Sequence, residues 1–154
     1  MIGNKKPSNG RLEVICGSMF SGKTEELIKR IKKAELDKQK FIVFKPKTAS
    51  RSPKNKIISH GNSEIGAKTV ENTKEIFSFS KNYDVIGIDE AQFFDDLHNF
   101  VEKAESYNKI IIISGLDGDS NRENFGDIHK LIPLCDEIVK LKAYCSICRN
   151  GVRA

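Results

Sequence analysis

The chain has 154 residues, 38% of them hydrophobic and 31% charged, proportions that suit one soluble globular domain with a buried core. Its 26 basic and 21 acidic side chains leave a net charge of +5, but the lysines are scattered rather than gathered into a stripe interleaved with aromatics, so nucleic acid is not an expected partner. No apolar stretch reaches the roughly 18 residues of a membrane span, and residues 1–10 read as a polar, flexible leader without the apolar segment of a signal peptide; a cytoplasmic protein is expected, with its four cysteines as reduced thiols or metal ligands.

In chain order, Leu12-Glu13-Val14-Ile15-Cys16 is a short apolar run suited to a strand. Residues 17–24 read Gly-Ser-Met-Phe-Ser-Gly-Lys-Thr and fit the phosphate-loop pattern G-x-x-x-x-G-K-[ST]. Residues 25–39 then place Leu27, Ile28, Ile31, Ala34 and Leu36 at helical spacing. A second strand is expected at Lys40–Phe44, closed by Pro46. Residues 46–64, rich in Lys, Ser, Pro and Asn, read as a long mobile loop of the kind that often serves function. Helical patterns follow at Thr73–Ser80, Asp95–Tyr107 and Phe125–Leu134, the last broken by Pro133. Strands are expected at Val85–Ile88 and Lys109–Ser114, and a weaker one at Glu137–Ala143. Continuous apolar strands alternating with helices predict an α/β fold, a P-loop NTPase-type core with a mainly parallel sheet flanked by helices. The strand order does not follow from this pattern.

The loop carries specific chemistry. The backbone N–H groups of Gly17, Ser18, Met19, Phe20, Ser21 and Gly22 can wrap the phosphates of a nucleotide such as ATP. Gly17 and Gly22 let the chain bend where a Cβ would clash. Lys23 brings a cation to the phosphate oxygens, Thr24 offers a hydroxyl to Mg²⁺, and the following helix points its positive end at the same anion. The apolar run 85–88 ends in Asp89-Glu90. Asp89 suits a role at Mg²⁺, and Glu90 can take a proton from an attacking hydroxyl or orient a water. Gln92, polar beside two phenylalanines, is expected to satisfy a backbone or ligand group. Cys16 reads as a buried strand thiol, Cys135 as a helix-end thiol, and His98 and His129 as ordinary helix residues. His60 lies in a loop, where a surface role and an active-site role are equally open. These motifs leave open ATP hydrolysis, a binding switch and phosphate transfer to an acceptor.

At Asp89-Glu90-Ala91-Gln92-Phe93-Phe94 the chain resembles the type II thymidine kinases, the cytosolic family of animals, bacteria and poxviruses. Further segments agree in family order: residues 17–24, Lys45-Pro46 with Arg51, Ser59-His60, Leu116-Asp117-Gly118, Arg122, Phe125-Gly126, Leu131-Ile132-Pro133-Leu134, Val139-Lys140-Leu141, and Cys145 with Cys148. The later segments are most similar to the animal and poxvirus branch. The resemblance implies Mg²⁺-dependent transfer of the ATP γ-phosphate to the 5′-hydroxyl of thymidine. It makes Glu90, Lys23 and Arg51 catalytic, with Arg51 near the transferring phosphate. It adds Gln92 to the loop residues and Asp89 as cofactor-binding, and makes Thr24 and Asp89 the Mg²⁺ residues. It also implies that Met19, Phe93, Leu116 and Phe125 line the thymine slot, that Phe94 is core, and that the protein is a homotetramer.

The chain departs from the family pattern in three places. Ala49 stands where many relatives have an acidic residue two before the arginine. Asp119-Ser120 replaces a small polar plus aromatic pair, and a serine cannot stack on a base. Cys145-Ser146-Ile147-Cys148 has zinc-ligand spacing, but a structural zinc takes four ligands, and the family's second Cys or Cys/His pair and nucleoside-covering segment have no counterpart before Ala154. The expected organisation is a leader (1–10), a kinase domain (11–143) and an incomplete zinc-binding and lid segment (144–154). Besides a thymidine kinase, a nucleotide-binding protein that has lost transfer through C-terminal truncation and an ATPase acting on nucleic acid are the readings to weigh.

Overall fold

The computed structural model describes residues 10–48, 55–118, 123 and 126–142. Six parallel strands form the main sheet: β1 (Arg11–Gly17), β2 (Phe41–Pro46), β5 (Lys68–Val70), β6 (Val85–Ile88), β7 (Ile110–Leu116) and β8 (Glu137–Leu141), in the order β5-β2-β6-β7-β1-β8. Strands β3 (Lys56–Ile58) and β4 (Glu64–Gly66) pair as a separate antiparallel hairpin. The helices are α1 (Lys23–Leu36), α2 (Thr73–Phe79) and α3 (Leu97–Ser106), with 3₁₀ segments at Ala91–Phe93 and Ile128–Leu134.

The central strands β6 and β7 are buried on both faces, as is usual in a parallel sheet. Alternating side chains of one strand therefore feed two cores. In the isoleucine run of β7, Ile111 and Ile113 join Leu12, Val14, Ile86 and Ile88 under α2 and α3. Ile112 joins Ile15, Val43 and Val85 under α1, whose Leu27, Ile28 and Ile31 are buried. Gly87 lets α1 lie close, since a Cβ there would come 3.0 Å from Ile31 Cδ1. Helix α2 begins at Asn72, whose side chain accepts from the Glu75 N–H at 3.0 Å, satisfying a donor the first turn leaves unpaired.

Each apolar run expected to be a strand is one: Val85–Ile88 has the expected ends, the others have at least one end shifted, and Ala143 lies outside the described residues. Two expectations change. Within and beyond the segment 46–64, the β3–β4 hairpin occupies residues 56–66, and β5, a strand the sequence pattern does not signal, follows at once. The helix expected at Phe125–Leu134 is described as a 3₁₀ segment from Ile128, with Pro133 inside it; proline has no N–H to donate to an α-helical ladder, and its ring crowds the carbonyl four residues back.

Candidate active site

All strands of the main sheet are parallel, so their C-terminal ends share one edge, where α/β proteins bind ligands. Three of them deliver the expected residues. Strand β1 ends at Gly17 and passes through the phosphate loop into α1; β6 ends at Ile88 and delivers Asp89 and Glu90; β7 ends at Leu116. Strand β7 lies between β1 and β6, yet the two motifs meet. Thr24 Oγ1 lies 3.3 and 3.5 Å from the two carboxylate oxygens of Asp89, 65 residues away in sequence.

The two loop glycines serve different needs. A Cβ at Gly17 would sit 2.2 Å from the Leu141 carbonyl oxygen, so the loop's start needs the absence of a side chain to pass β8. Gly22 has open space around it but a φ of +87°, a left-handed conformation that glycine adopts without steric cost. Phe20 (φ 62°) and Glu90 (φ 52°) hold positive φ without being glycine. Such backbone costs about 1–3 kcal/mol and tends to gather at functional sites.

Lys23 Nζ folds back on the loop, donating to the Ser18 carbonyl at 2.6 Å and lying 3.5 Å from Ser21 Oγ. Burial pushes its pKa down, against the pull of Glu90, Asp89 and Asp117. Asp89 is 3% exposed. Burial and then the neighbouring Glu90 charge raise its pKa to about 6, opposed by the Glu90 backbone and the Thr24 hydroxyl. Ser114, near the end of β7, is within electrostatic reach of Asp89, yet among the described residues its buried Oγ meets no partner at hydrogen-bond distance. Gln92 is buried with both ends of its amide used: Nε2 donates to Glu90 Oε2 at 2.8 Å, and Oε1 accepts from the Leu116 N–H at 3.0 Å.

Of the side chains expected at the thymine slot, Met19 and Phe93 are 42% and 45% exposed, and Leu116 is half-buried. Phe94 is core. Cys16 is buried, and burial, then Asp117, lift its thiol to about 11. Cys135 closes the 3₁₀ segment. His98 lies in α3 and His129 in the 3₁₀ segment, where its buried Nδ1 has no partner among the described residues. Arg51, Phe125, Cys145 and Cys148 lie outside the described residues, as do Ala49, Asp119-Ser120 and Arg122.

Two features of the site are not visible in the sequence motifs. Lys45, 2% exposed at the end of β2, donates to the Lys56 carbonyl at 2.9 Å and so ties the hairpin to the sheet. Burial lowers its pKa, opposed by Asp89. The hairpin's turn in turn rests on the loop: the His60 and Phe20 rings lie 5.0 Å apart, and a Cβ on Gly61 would come 2.9 Å from the Glu25 carboxylate in the first turn of α1. A lysine between an apolar run and Pro46 was the available signal for the first; nothing local signalled the second.

Comparison with known proteins gives a consistent result. The thymidine kinase family profile matches residues 10–153. A thymidine kinase of Bacteroides thetaiotaomicron is 44% identical over 140 residues, covering 90% of this chain and 70% of the relative. Among solved structures, the genome packaging NTPase B204 of Sulfolobus turreted icosahedral virus 2 is similar in fold. Its complex with ATP-gammaS aligns with a TM-score of 0.53 at 17% identity, over 90% of this chain and 78% of that one. Its complex with sulfate gives 0.54 at 18%, over 90% and 76%. At such identity the likeness speaks for the P-loop NTPase fold.

Proposed function

The chain belongs to the thymidine kinase family, and on that premise we propose that it transfers the γ-phosphate of ATP to the 5′-hydroxyl of thymidine through the residues gathered at the ends of β1 and β6. The observation that carries this is the meeting of Thr24 with Asp89 across the intervening strand, which puts the phosphate loop and Glu90 in one site. A nucleotide-binding protein that has lost transfer is not better supported, because the matching family profile and the 44% identical relative are both thymidine kinases.

On this reading the loop amides of residues 17–22 and Lys23 hold the ATP phosphates. Lys23 exchanges its carbonyl of Ser18 for phosphate oxygens, a stronger, charge-assisted partner. The Thr24 hydroxyl and Asp89 carboxylate, hard oxygen donors brought within reach of each other, fit Mg²⁺ and would hold it. When bound, the ion would neutralise charge on the transferring phosphate. Met19, Phe93 and Leu116, with Phe125, hold the base in an apolar slot. Glu90 accepts the proton of the 5′-hydroxyl as that oxygen bonds to the γ-phosphorus and ADP leaves. Arg51 adds positive charge at the equatorial oxygens. Gln92 belongs to the same set.

Cys145 and Cys148 would supply two ligands of a structural zinc. Among the described residues no group of three or more His, Cys, Asp or Glu is placed to hold a metal. No described helix is long and apolar enough to cross a membrane. A tetramer and a cytoplasmic location belong to this reading through the family resemblance. The test is formation of thymidine monophosphate from labelled ATP, with deoxycytidine and no-nucleoside controls. Product with thymidine and not with deoxycytidine is expected; ATP consumption that ignores the nucleoside would overturn the reading.

A further inference from the structure

Gln92 stands between two groups that face the reaction from different strands. Glu90, just past β6, receives its amide hydrogen, and Leu116, at the end of β7, gives its backbone hydrogen to the amide oxygen. The chemistry of the two ends fixes the amide's orientation. A carboxylate needs a donor and a backbone N–H needs an acceptor, and reversing the amide would set donor against donor and acceptor against acceptor. The surroundings are shaped to keep Gln92 there. A Cβ at Gly115 would come 2.8 Å from Gln92 Oε1, and one at Gly126, whose φ is +62°, would come 2.3 Å from the Gln92 carbonyl oxygen. The side chain is 5% exposed, so water does not compete for these bonds. Glu90 itself sits on a left-handed backbone, a conformation that persists only where the surroundings enforce it.

We propose that Gln92 is a positioning residue for phosphate transfer: anchored on the Leu116 N–H, it holds the Glu90 carboxylate in the orientation that accepts the 5′-hydroxyl proton. The proposal rests on the functional reading above and deepens it. Gln92 gains and loses no proton; the proton passes from the hydroxyl to Glu90. A glutamate side chain has three rotatable bonds, and an unrestrained Glu90 would sample many directions, few of them productive. Because Leu116 also borders the expected thymine slot, the same amide links the strand that meets the base to the group that meets the sugar hydroxyl.

The experiment compares Gln92→Met and Gln92→Glu, each in the native background and in Glu90→Gln, with kcat, both KM values, ATP affinity and thermal midpoint measured on the full chain. Methionine fills the space and removes both hydrogen bonds. Glutamate keeps the acceptor for Leu116 and replaces the amide donor by a carboxyl that repels Glu90 or competes with it for the proton. Either change is expected to lower kcat by about tenfold or more, with KM values within about threefold, and to cost nothing further once Glu90 is Gln, because residues acting as one unit are non-additive. If Gln92→Met does not fold, Gln92→Glu carries the same comparison. An equal loss in both backgrounds, an unchanged kcat, or unfolding of both variants would assign Gln92 to the fold and overturn the proposal. The unsubstituted chain is assayed first with thymidine: failure there removes the functional reading, whereas an active chain with additive Gln92 losses removes the positioning role and leaves the reading standing.

Discussion

Helix α1 carries two half-buried cations with opposite surroundings. Lys23 opens the helix and Arg30 lies about two turns on. Arg30 is enclosed by three carboxylates: Glu13 of β1 at 2.5 Å, Glu26 one turn back at 3.0 Å and Glu137 of β8 at 3.0 Å. Arg11 joins the same network through Glu13 and Glu137. Burial would lower the pKa of Arg30, and its carboxylate partners more than offset this. Lys23 has no carboxylate within ion-pair distance among the described residues; its ammonium rests on a carbonyl and a hydroxyl of its own loop, and burial lowers its pKa. A charge given its full set of partners by the fold locks elements together. A charge given weak neutral partners can exchange them for a phosphate. One end of the helix is thus built to receive a ligand, and its middle to hold β1, α1 and β8 in register.

The sharpest break between the two regions comes from residues beside the loop. Glu90→Gln is expected to cut kcat by about 10²-fold or more while ATP affinity stays nearly unchanged; equal losses in both would remove Glu90 from the role of base. Lys23→Ala should weaken ATP binding by about 10–100-fold, as loss of a charge-assisted contact does, with little effect on the thermal midpoint, seen by calorimetric titration and melting. Arg30→Ala should show the reverse pattern. It should destabilise the fold by about 1–3 kcal/mol, less than a fully buried pair because Glu137 is partly exposed, without a comparable loss of ATP affinity.

Asp89 refines the contrast through pH. In the metal-free protein its pKa is raised to about 6, so the folded state keeps a proton that the unfolded chain releases near the usual carboxylate value. Stability from this group is therefore lost as pH rises from about 4 to about 6. Asp89→Asn should stabilise the metal-free fold at pH 7.5 by an amount on the order of 1–3 kcal/mol, seen as a raised melting midpoint, and the gain should vanish below pH 4, while transfer activity falls. The smallest effect is at Cys16. With its thiol lifted to about 11 by burial and Asp117, it should resist alkylation at pH 8 in the folded protein despite lying next to the phosphate loop, and mass spectrometry of intact and unfolded samples reads this directly.

The loop half of this comparison was legible in the sequence because its residues are contiguous. Strand, glycine-bearing loop and helix occupy residues 11–36, and Asp89-Glu90 close an apolar run. The network half was not: Glu13, Arg30 and Glu137 are brought together by pairing of β1 with β8, and strand order does not follow from periodicity. The β3–β4 hairpin and β5 escaped for a different reason. Their strands are three residues long, too short for alternation to stand out. Gln92 was recognised as a residue needing a partner, but its two partners come from opposite directions along the chain and became apparent only with β6 and β7 side by side.

The most direct test is to titrate ATP onto Lys23→Ala and Arg30→Ala and to melt both without nucleotide, beside the unsubstituted chain. We expect Lys23→Ala to lose ATP affinity and keep its midpoint, and Arg30→Ala to lose midpoint and keep affinity. Equal losses of both properties in both variants would contradict the division of α1 into a ligand-receiving end and a structural clamp.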